Sequence, residues 1–508
     1  MKPKVVIAGP GAGKTHEMVS RVTEALPLLN RTRILAVITF TKSATASIKS
    51  RLLEKHRIPP NVFVGTNYSF FCQYIIQPFA SIYRPDINCE KVFLEIDVSK
   101  IVSSTSNIKN KNYAAINKAR SNILRKLLTE GHIPLSEIGH ISYTILEKNN
   151  LLRKHLSNRL QFLFIDEFQD VDSWQFKIFD EIRKAKKTRI LAVGDPEQYI
   201  MGFTYRNTTA RKPSFSNIPI NKFVSKSEKV ILIKNYRSFT EIVNFLNYFH
   251  TEINQVSEKG TCKDSGVYFI ENQDMNVIIQ KYNDLISKTI WHNTESHPVF
   301  FYLAYKNKIY EDLSSKYGLE PISEGYKNVR NPLHISLELI TTITGCSQRQ
   351  IQERYELSQL KYRRLGVLLL ESIEKKEVHN YESLLEFFTQ ELGLEIENDL
   401  NANYRDPLRS LLQANSYTHT AKKSHIFSSI HKAKGLEADG VLVVAGNENE
   451  LNAWLSTDKK TRYEDKGDRC RIGYVAFSRA KQVLCIASKK KISIELKKKI
   501  EDLGVQII

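Results

Sequence analysis

Three groups of residues have the types and spacing that phosphate chemistry requires. The first lies in KVVIAGPGAGKTHEMV (Lys4–Val19). Gly9, Gly11 and Gly13 allow a tight turn in which several backbone N–H groups converge on one anion. Lys14 would neutralise β- and γ-phosphates, and the Thr15 hydroxyl would hold Mg²⁺. The spacing follows G-x-x-x-x-G-K-[ST] except at its first position, which is Ala8; Ala12 stands inside the turn. The second group is FLFIDEFQD (Phe162–Asp170), an apolar run ending in acids. Desolvating unpaired carboxylates is costly, so such a run needs a chemical reason. Asp166 would hold the metal, and Glu167 would orient and deprotonate an attacking water. The third group is LAVGDPEQYIMGF (Leu191–Phe203), where the Gln198 amide can both donate and accept and so could sense a γ-phosphate.

The elements that must position these groups are also readable. Val5–Ile7 suit a buried strand. Met18, Val19, Val22, Ala25 and Leu26 recur at helical spacing after the glycine turn, so phosphates would meet a helix N-terminus. Apolar runs at Arg33–Ile38, Phe162–Asp166, Arg189–Gly194, Lys229–Ile233, Val299–Ala304, Val441–Gly446 and Val483–Ala487 alternate with helical patterns. That alternation predicts parallel sheets covered on both faces. Two stretches break the rhythm and read as helical, and Ser103–Asn112 reads as a loop. The fold class is therefore α/β, with two cores each interrupted by a mostly helical insertion. The expected division places 1–79 and 161–222 in the first core and 80–160 in its insertion. It places 223–332 and 421–508 in the second core, and 333–420 in the second insertion.

Composition narrows the partners. The chain has 508 residues, enough for about three domains at ~150 residues each. Its 74 basic against 55 acidic residues give a net charge of +19, which points to an anionic polymer. Cys72, Cys89, Cys262, Cys346, Cys470 and Cys485 are scattered, and no pair has zinc spacing. Reduced thiols in a cytoplasmic protein are the simplest account. No apolar run is long enough to cross a bilayer or to act as a signal peptide, so no membrane role is expected. The Lys-rich run Lys489–Ile500 reads either as a DNA contact or as the solvated face of a final helix.

In this order the pieces resemble superfamily 1A helicases of the UvrD/Rep type. The acidic motif D-E-x-Q-D stands here as Asp166-Glu167-Phe168-Gln169-Asp170, and G-D-x-x-Q as Gly194–Gln198. NYRS (Asn235–Ser238), IHKAKGLE (Ile430–Glu437), YVAFSRAK (Tyr474–Lys481) and the DNA-contacting ILAVITFTKSATASIKSRL (Ile34–Leu52) follow the same pattern. The resemblance implies two RecA-like P-loop NTPase cores with ATP and Mg²⁺ in the cleft between them. It assigns Arg237 and Arg479 as arginine fingers, Tyr236 to adenine stacking and Glu437 to the ribose. It implies single-stranded DNA across both cores, touched by Phe40, Phe203, the GTNYSF segment with Thr66 and Tyr68, and His431. For Phe40, Phe203 and Tyr236, ordinary core packing is the competing reading. Stepping from 3′ to 5′ is implied as well.

The sequence departs from that family in places. No adenine-reading Gln fits upstream of Ala8, which leaves preference for ATP over GTP open. Met201 and Thr204 replace a Tyr and an Arg, Ser43 replaces a Lys, and the second insertion is short. Hydrolysis residues are intact while strand-separating parts are reduced. A narrower similarity, through FVGTNYSFFCQYIIQPF (Phe63–Phe79) and the Lys-rich tail, is to the helicase-like subunits of Gabija anti-phage systems. It implies a partner that combines an ATPase domain with a Toprim-type nuclease. Two functions follow. One is an ATP-dependent 3′–5′ DNA helicase or translocase acting in anti-phage defence. The other is an ATPase switch that senses DNA ends or single strands and regulates a partner nuclease without net unwinding. A related RNA helicase is a third class.

Overall fold

A computed structural model describes residues 2–54, 58–83, 92–94, 113–129, 132–201, 214–292, 298–311, 313–322, 332–346, 348–395, 425–464 and 468–508. Contacts divide the chain into two compact units, Met1–Leu319 with His425–Ile508, and Glu320–Ser424.

The first unit contains two large parallel sheets. The first sheet uses β1 (Lys4–Ala8), β2 (Ile34–Thr39), β3 (Val62–Thr66), β4 (Leu160–Ile165), β5 (Arg189–Gly194) and β6 (Glu228–Leu232). Their spatial order is β3-β2-β4-β5-β1-β6, and every pairing is parallel. Period-two alternation sorts the side chains. Val5, Ile7, Ala36, Ile38, Leu163 and Ile165 enter one core, while Val6, Ala8, Leu35, Val37, Phe162 and Phe164 enter the other. Strands buried on both faces must be apolar throughout, and each large side chain contributes about 1.5–3 kcal/mol on burial. Helix α1 (Lys14–Ala25) covers one face with Met18, Val19, Val22 and Ala25.

The second sheet uses β7 (Gly266–Glu271), β8 (Phe300–Ala304), β9 (His425–Ser429), β10 (Ala438–Ala445), β11 (Ala480–Ser488) and β12 (Gln506–Ile507). Within the first unit these run β9-β8-β10-β11-β7-β12, again parallel. The expected α/β class with two sheets is therefore the observed one. One boundary moves. β6 pairs with β1 from Lys4↔Glu228 to Ala8↔Leu232, so the first sheet extends past the expected limit at residue 222. β1 would otherwise present an open edge, and β6 covers it with a complete ladder.

Between residues 80 and 160 the described chain is helical at Tyr113–Thr129, Ile138–Lys148 and Asn150–Arg159. Ile138, Ile141, Ile145 and Leu156 join the first-sheet core. The expected loop Ser103–Asn112 lies outside the described residues. The second unit builds its own core, with Leu339, Ile343, Tyr362, Leu369 and Phe388 buried. Gly366 permits close packing there: a Cβ would lie 2.8 Å from Leu337 and Ser336 side-chain atoms. The Lys-rich run enters helix Ile494–Asp502, which buries Leu496 and Ile500, and Lys497 pairs with Glu271 at 3.1 Å. Among the described residues no helix is long and apolar enough to cross a membrane.

Candidate nucleotide cleft and nucleic-acid face

β1 ends at the wholly buried Ala8, and α1 starts at Lys14. Between them Gly11 and Gly13 take φ of +68° and +76°. That conformation costs residues with a Cβ about 1–2 kcal/mol. A Cβ on Gly11 would also come within 2.6 Å of Arg237 Cβ and Asn235 Oδ1. The loop is thus shaped against the segment that leads into the second sheet. Tyr236 N–H donates to the Gly11 carbonyl at 2.9 Å, and Asn235 Nδ2 donates to the Pro10 carbonyl at 2.9 Å. Gly9 packs on the buried Gln255 side chain, behind the cleft.

The acidic group follows β4. Asp166 N–H donates to the Ile38 carbonyl at 2.8 Å, and Asp166 Oδ1 accepts the Glu167 N–H at 3.0 Å. Glu167 itself adopts φ +48°, which turns its side chain towards Lys14, 3.7 Å from Nζ to Oε2. Gln169 donates to the Glu167 carboxylate and accepts the Asp195 N–H at 3.1 Å, so one amide ties the ends of β4 and β5. Burial pushes the Asp166 carboxyl up to about 7, and the Glu167 charge adds to the shift. Burial would raise Glu167 too, but Lys14, Lys434 and Gln169 hold it below its usual range. Of the two carboxyls, Glu167 is thus the one held ionised. Among the described residues no cationic side chain forms an ion pair with Asp166. The buried Asp166 carboxylate and the Thr15 hydroxyl of the glycine loop are hard-oxygen donors of the kind Mg²⁺ takes.

Gln198 is bonded from both sides of the cleft. Its Nε2 donates to Asp195 Oδ2 at 2.7 Å, and its Oε1 accepts from Arg479 Nη2 at 3.3 Å. Asp195 also meets His250 Nε2 at 3.1 Å; burial would raise the Asp195 carboxyl, and His250 instead holds it low. Arg479 is 1% exposed and donates to the Val475 and Leu436 carbonyls. Burial and the nearby Arg237 charge pull it down to about 9. Among the described residues no carboxylate forms an ion pair with it. Arg237 Nε donates to Glu437 Oε2 at 2.6 Å, and Lys481 Nζ lies 3.3 Å from Glu437 Oε1. Although burial would raise Glu437, these two cations hold it at about 2.

A cavity of about 270 Å³ opens among these groups. It gathers Gly11, Ala12, Gly13, Lys14, Thr15, Glu167, Gln198, Tyr236, Arg237, Glu437 and Arg479. Ala8, Gly9 and Asp166 are not among the residues that line it. Four cationic side chains line it (Lys14, Arg51, Arg237 and Arg479) against two carboxylates, Glu167 and Glu437. That excess suits a polyphosphate. Tyr236 is 54% exposed with its ring over Gly13, so core packing is not its role.

The expected nucleic-acid residues lie elsewhere, at the carboxyl ends of strands. β2 and β3 pair up to Thr39↔Thr66, which sets Phe40 and Tyr68 on one rim, 39% and 37% exposed. Phe40 is thereby a surface residue rather than a core one. Thr66 caps helix Asn67–Phe71, accepting the Ser69 N–H at 3.3 Å. In the second sheet Ala304 pairs with Ser429, and the Tyr305 and His431 rings that follow stand 5.7 Å apart. Phe203 lies outside the described residues.

Several residues of the cleft escaped sequence reasoning. Lys434 Nζ donates to the Asp170 carboxylate at 2.6 Å and to the Gln198 carbonyl at 2.9 Å. It sits inside IHKAKGLE, and Asn235 opens NYRS, so position within those motifs was the available signal. Arg51 likewise sits inside ILAVITFTKSATASIKSRL, while Tyr305 carried no comparable signal. Glu197, buried beside Gln198, receives Arg462 Nη2 at 2.8 Å, with Arg471 Nε at 3.8 Å.

Two family models match the chain. One, described as the UvrD/REP helicase N-terminal domain, matches residues 1–122 and 88–211. The other, the UvrD-like helicase C-terminal domain, matches residues 269–491. Gabija protein GajB of Bacillus cereus (strain VD045) is 22% identical over 519 residues, covering 99% of this chain and 97% of that protein. A probable DNA helicase II homolog of Mycoplasma capricolum is 25% identical over 49% of this chain and 39% of its own length. The ATP-dependent DNA helicase Rep of Buchnera aphidicola is 21% identical over 62% of this chain and 52% of its own. Of these last two relatives the chain thus spans about half the length or less.

Proposed function

Because the chain belongs to the UvrD/Rep family of ATP-dependent DNA helicases, we propose that its cleft is the motor site of a 3′–5′ translocase on single-stranded DNA. The observation that carries this reading is the convergence of cations from both sheets on one cavity, with Gln198 bonded across it to Arg479.

In this reading Lys14 and the glycine-loop N–H groups cradle the triphosphate. Thr15 and Asp166 hold Mg²⁺, which supplies positive charge to the β- and γ-phosphates when bound. Glu167 takes a proton from water as the water oxygen bonds to the γ-phosphorus. The β–γ bridging bond breaks, and ADP and inorganic phosphate leave. Arg237 and Arg479 offset charge on the transferring phosphoryl group, as guanidinium groups do in such reactions. Tyr236 stacks on the base. Glu437, although engaged by Arg237 and Lys481, keeps acceptor capacity for a ribose hydroxyl. Loss of the γ-phosphate removes the anion that both sheets share, so the lobes relax and their hold on DNA changes. Phe40, Tyr68, Phe203 and His431 contact the strand, the aromatic rings by stacking on bases.

The similarity to a Gabija protein over nearly the whole of both chains supports a role in anti-phage defence beside a nuclease partner. It also favours the second reading, a cytoplasmic switch that senses DNA ends or single strands and licenses that partner without net unwinding. Strand displacement on duplexes with a 3′ or a 5′ tail, with and without co-purified protein, separates the two. Displacement by the chain alone from 3′ tails supports the motor. DNA-stimulated hydrolysis without displacement supports the switch. Equal stimulation by RNA and DNA contradicts both.

A further inference from the structure

Far from the glycine loop along the chain, three side chains of different chemistry meet. The Cys262 sulfur, an Asp264 carboxylate oxygen and a His292 ring nitrogen all lie within 4.8 Å of one another. Cys262 is a free thiol, and it and Asp264 are half-buried, while His292 is exposed. His292 Nε2 stands 3.5 Å from Asp264 Oδ2. That is long for a charge-assisted hydrogen bond. It is close to the edge of a coordination tetrahedron, where nitrogen and oxygen at ~2.0–2.1 Å from zinc are roughly 3.3 Å apart.

The arrangement is built by a buried side chain. Gln482 on β11 is 1% exposed and holds both ligand segments through their backbones. Its Nε2 donates to the Ile290 carbonyl at 2.6 Å and the Asp264 carbonyl at 3.3 Å. Its Oε1 accepts the His292 N–H at 3.0 Å. Ser265 adds a second tie, donating from Oγ to the Gln482 carbonyl at 2.9 Å. Cys262 N–H is accepted by Glu241 Oε1 at 3.2 Å, and the other Glu241 oxygen is buried with no hydrogen-bond partner among the described residues.

We propose that Cys262, Asp264 and His292 form a binding site for one divalent transition metal, zinc by ligand type. A thiolate, an imidazole and a carboxylate are a three-ligand zinc set, and a water or a fourth group completes the tetrahedron. Thiolate and carboxylate together balance the 2+ charge. The residue spacing conceals the site, because Cys262 and His292 are separated by the whole of β7 and the helix Met275–Lys288. Bound metal would clamp the loop before β7 to the segment after that helix, against the strand that follows Arg479. The site is independent of the proposed nucleotide chemistry.

The test uses full-length protein freed of metal by a chelator and titrated with Co²⁺ in the absence of nucleotide. The expected result is one equivalent bound, with the visible bands of tetrahedral cobalt and a sulfur-to-cobalt charge-transfer band, both bleached by Zn²⁺. Cys262→Ser should remove the charge-transfer band. His292→Ala and Asp264→Asn should each weaken binding by about tenfold or more. Far-ultraviolet circular dichroism verifies that each variant is folded. Failure of wild-type protein to develop tetrahedral bands at stoichiometric cobalt overturns the proposal. So does a charge-transfer band of full strength in folded Cys262→Ser protein, because the thiolate would then belong to another cysteine.

Discussion

Replacing Glu197 by glutamine removes one charge from a cluster that has almost no access to water. Glu197 is 0% exposed, Arg462 1% and Arg471 2%. Burial alone would lower the Arg462 pKa, yet the Glu197 charge holds it above its usual value. Glu197 Oε2 takes the Arg462 Nη2 hydrogen bond, while among the described residues Glu197 Oε1, Arg462 Nε and Arg471 Nε have no hydrogen-bond partner. The ion pair is therefore the main compensation for these buried charges. Removing one member of such a pair strands the other and costs about 3–5 kcal/mol. Glutamine keeps the volume and one acceptor, so the expected loss for Glu197→Gln is near the lower end. The assay is urea denaturation of wild type, Glu197→Gln, Arg462→Gln and the double variant. The double variant should lose less than the sum of the singles, with a coupling of about 1–3 kcal/mol. Arg471 retains Asp468, 3.3 Å away, in every variant. A Glu197→Gln protein within about 0.5 kcal/mol of wild type, against the ~3 kcal/mol cost of a broken buried pair, would refute the reasoning, as would additive singles.

Three other outcomes follow from the cleft and its rim. Gly11→Ala should weaken nucleotide binding by about tenfold or more in equilibrium titration, since φ of +68° and the 2.6 Å approach of Arg237 and Asn235 both oppose a Cβ. Glu437 has a folded pKa of about 2, below the ~4.5 of an unperturbed glutamate, so its pairing with Arg237 and Lys481 stabilises fully above that unperturbed value and is lost as pH falls towards 2. The difference in denaturation midpoint between wild type and Glu437→Gln should accordingly be constant from pH 6 to pH 8, and should shrink between about pH 4.5 and pH 3. Phe40→Ala and Tyr68→Ala should each weaken binding of a fluorescent single-stranded oligonucleotide, by about 1–3 kcal/mol if each ring stacks on one base.

Strand positions were legible because parallel strands buried on both faces leave an apolar run that needs no partner to be recognised. Arg189–Gly194 matches its expected bounds, and Phe300–Ala304 differs by one residue. β10 begins at Ala438, three residues before the apolar run Val441–Gly446, because Ala438 and Gly440 pair in the ladder on either side of an irregularity at Asp439. The sheet to which a strand belongs is not a local property, so Glu228–Leu232 was placed with the wrong core. Glycine-loop and acidic residues stand in short local spacings, whereas Arg237 and Arg479 were named through the family resemblance; Lys14, Glu167, Arg237 and Arg479 line one cavity. Lys434–Asp170 and Arg462–Glu197 were not legible, since each pair joins positions more than 260 residues apart. Cys262 and His292 were hidden because a strand and a helix lie between them. The exposure of Phe40 and Tyr236 needed the fold, because an aromatic residue at a strand end reads equally as core or surface.

Steady-state ATP turnover, with and without single-stranded DNA, is the most direct measurement. Wild-type protein should hydrolyse ATP and accelerate when DNA is added. Lys14→Ala and Glu167→Gln should each lower turnover by at least about a hundredfold, since one removes phosphate charge and the other the base. Turnover in either variant equal to wild type, or a wild-type rate indifferent to DNA, would contradict a cleft that links nucleotide to nucleic acid.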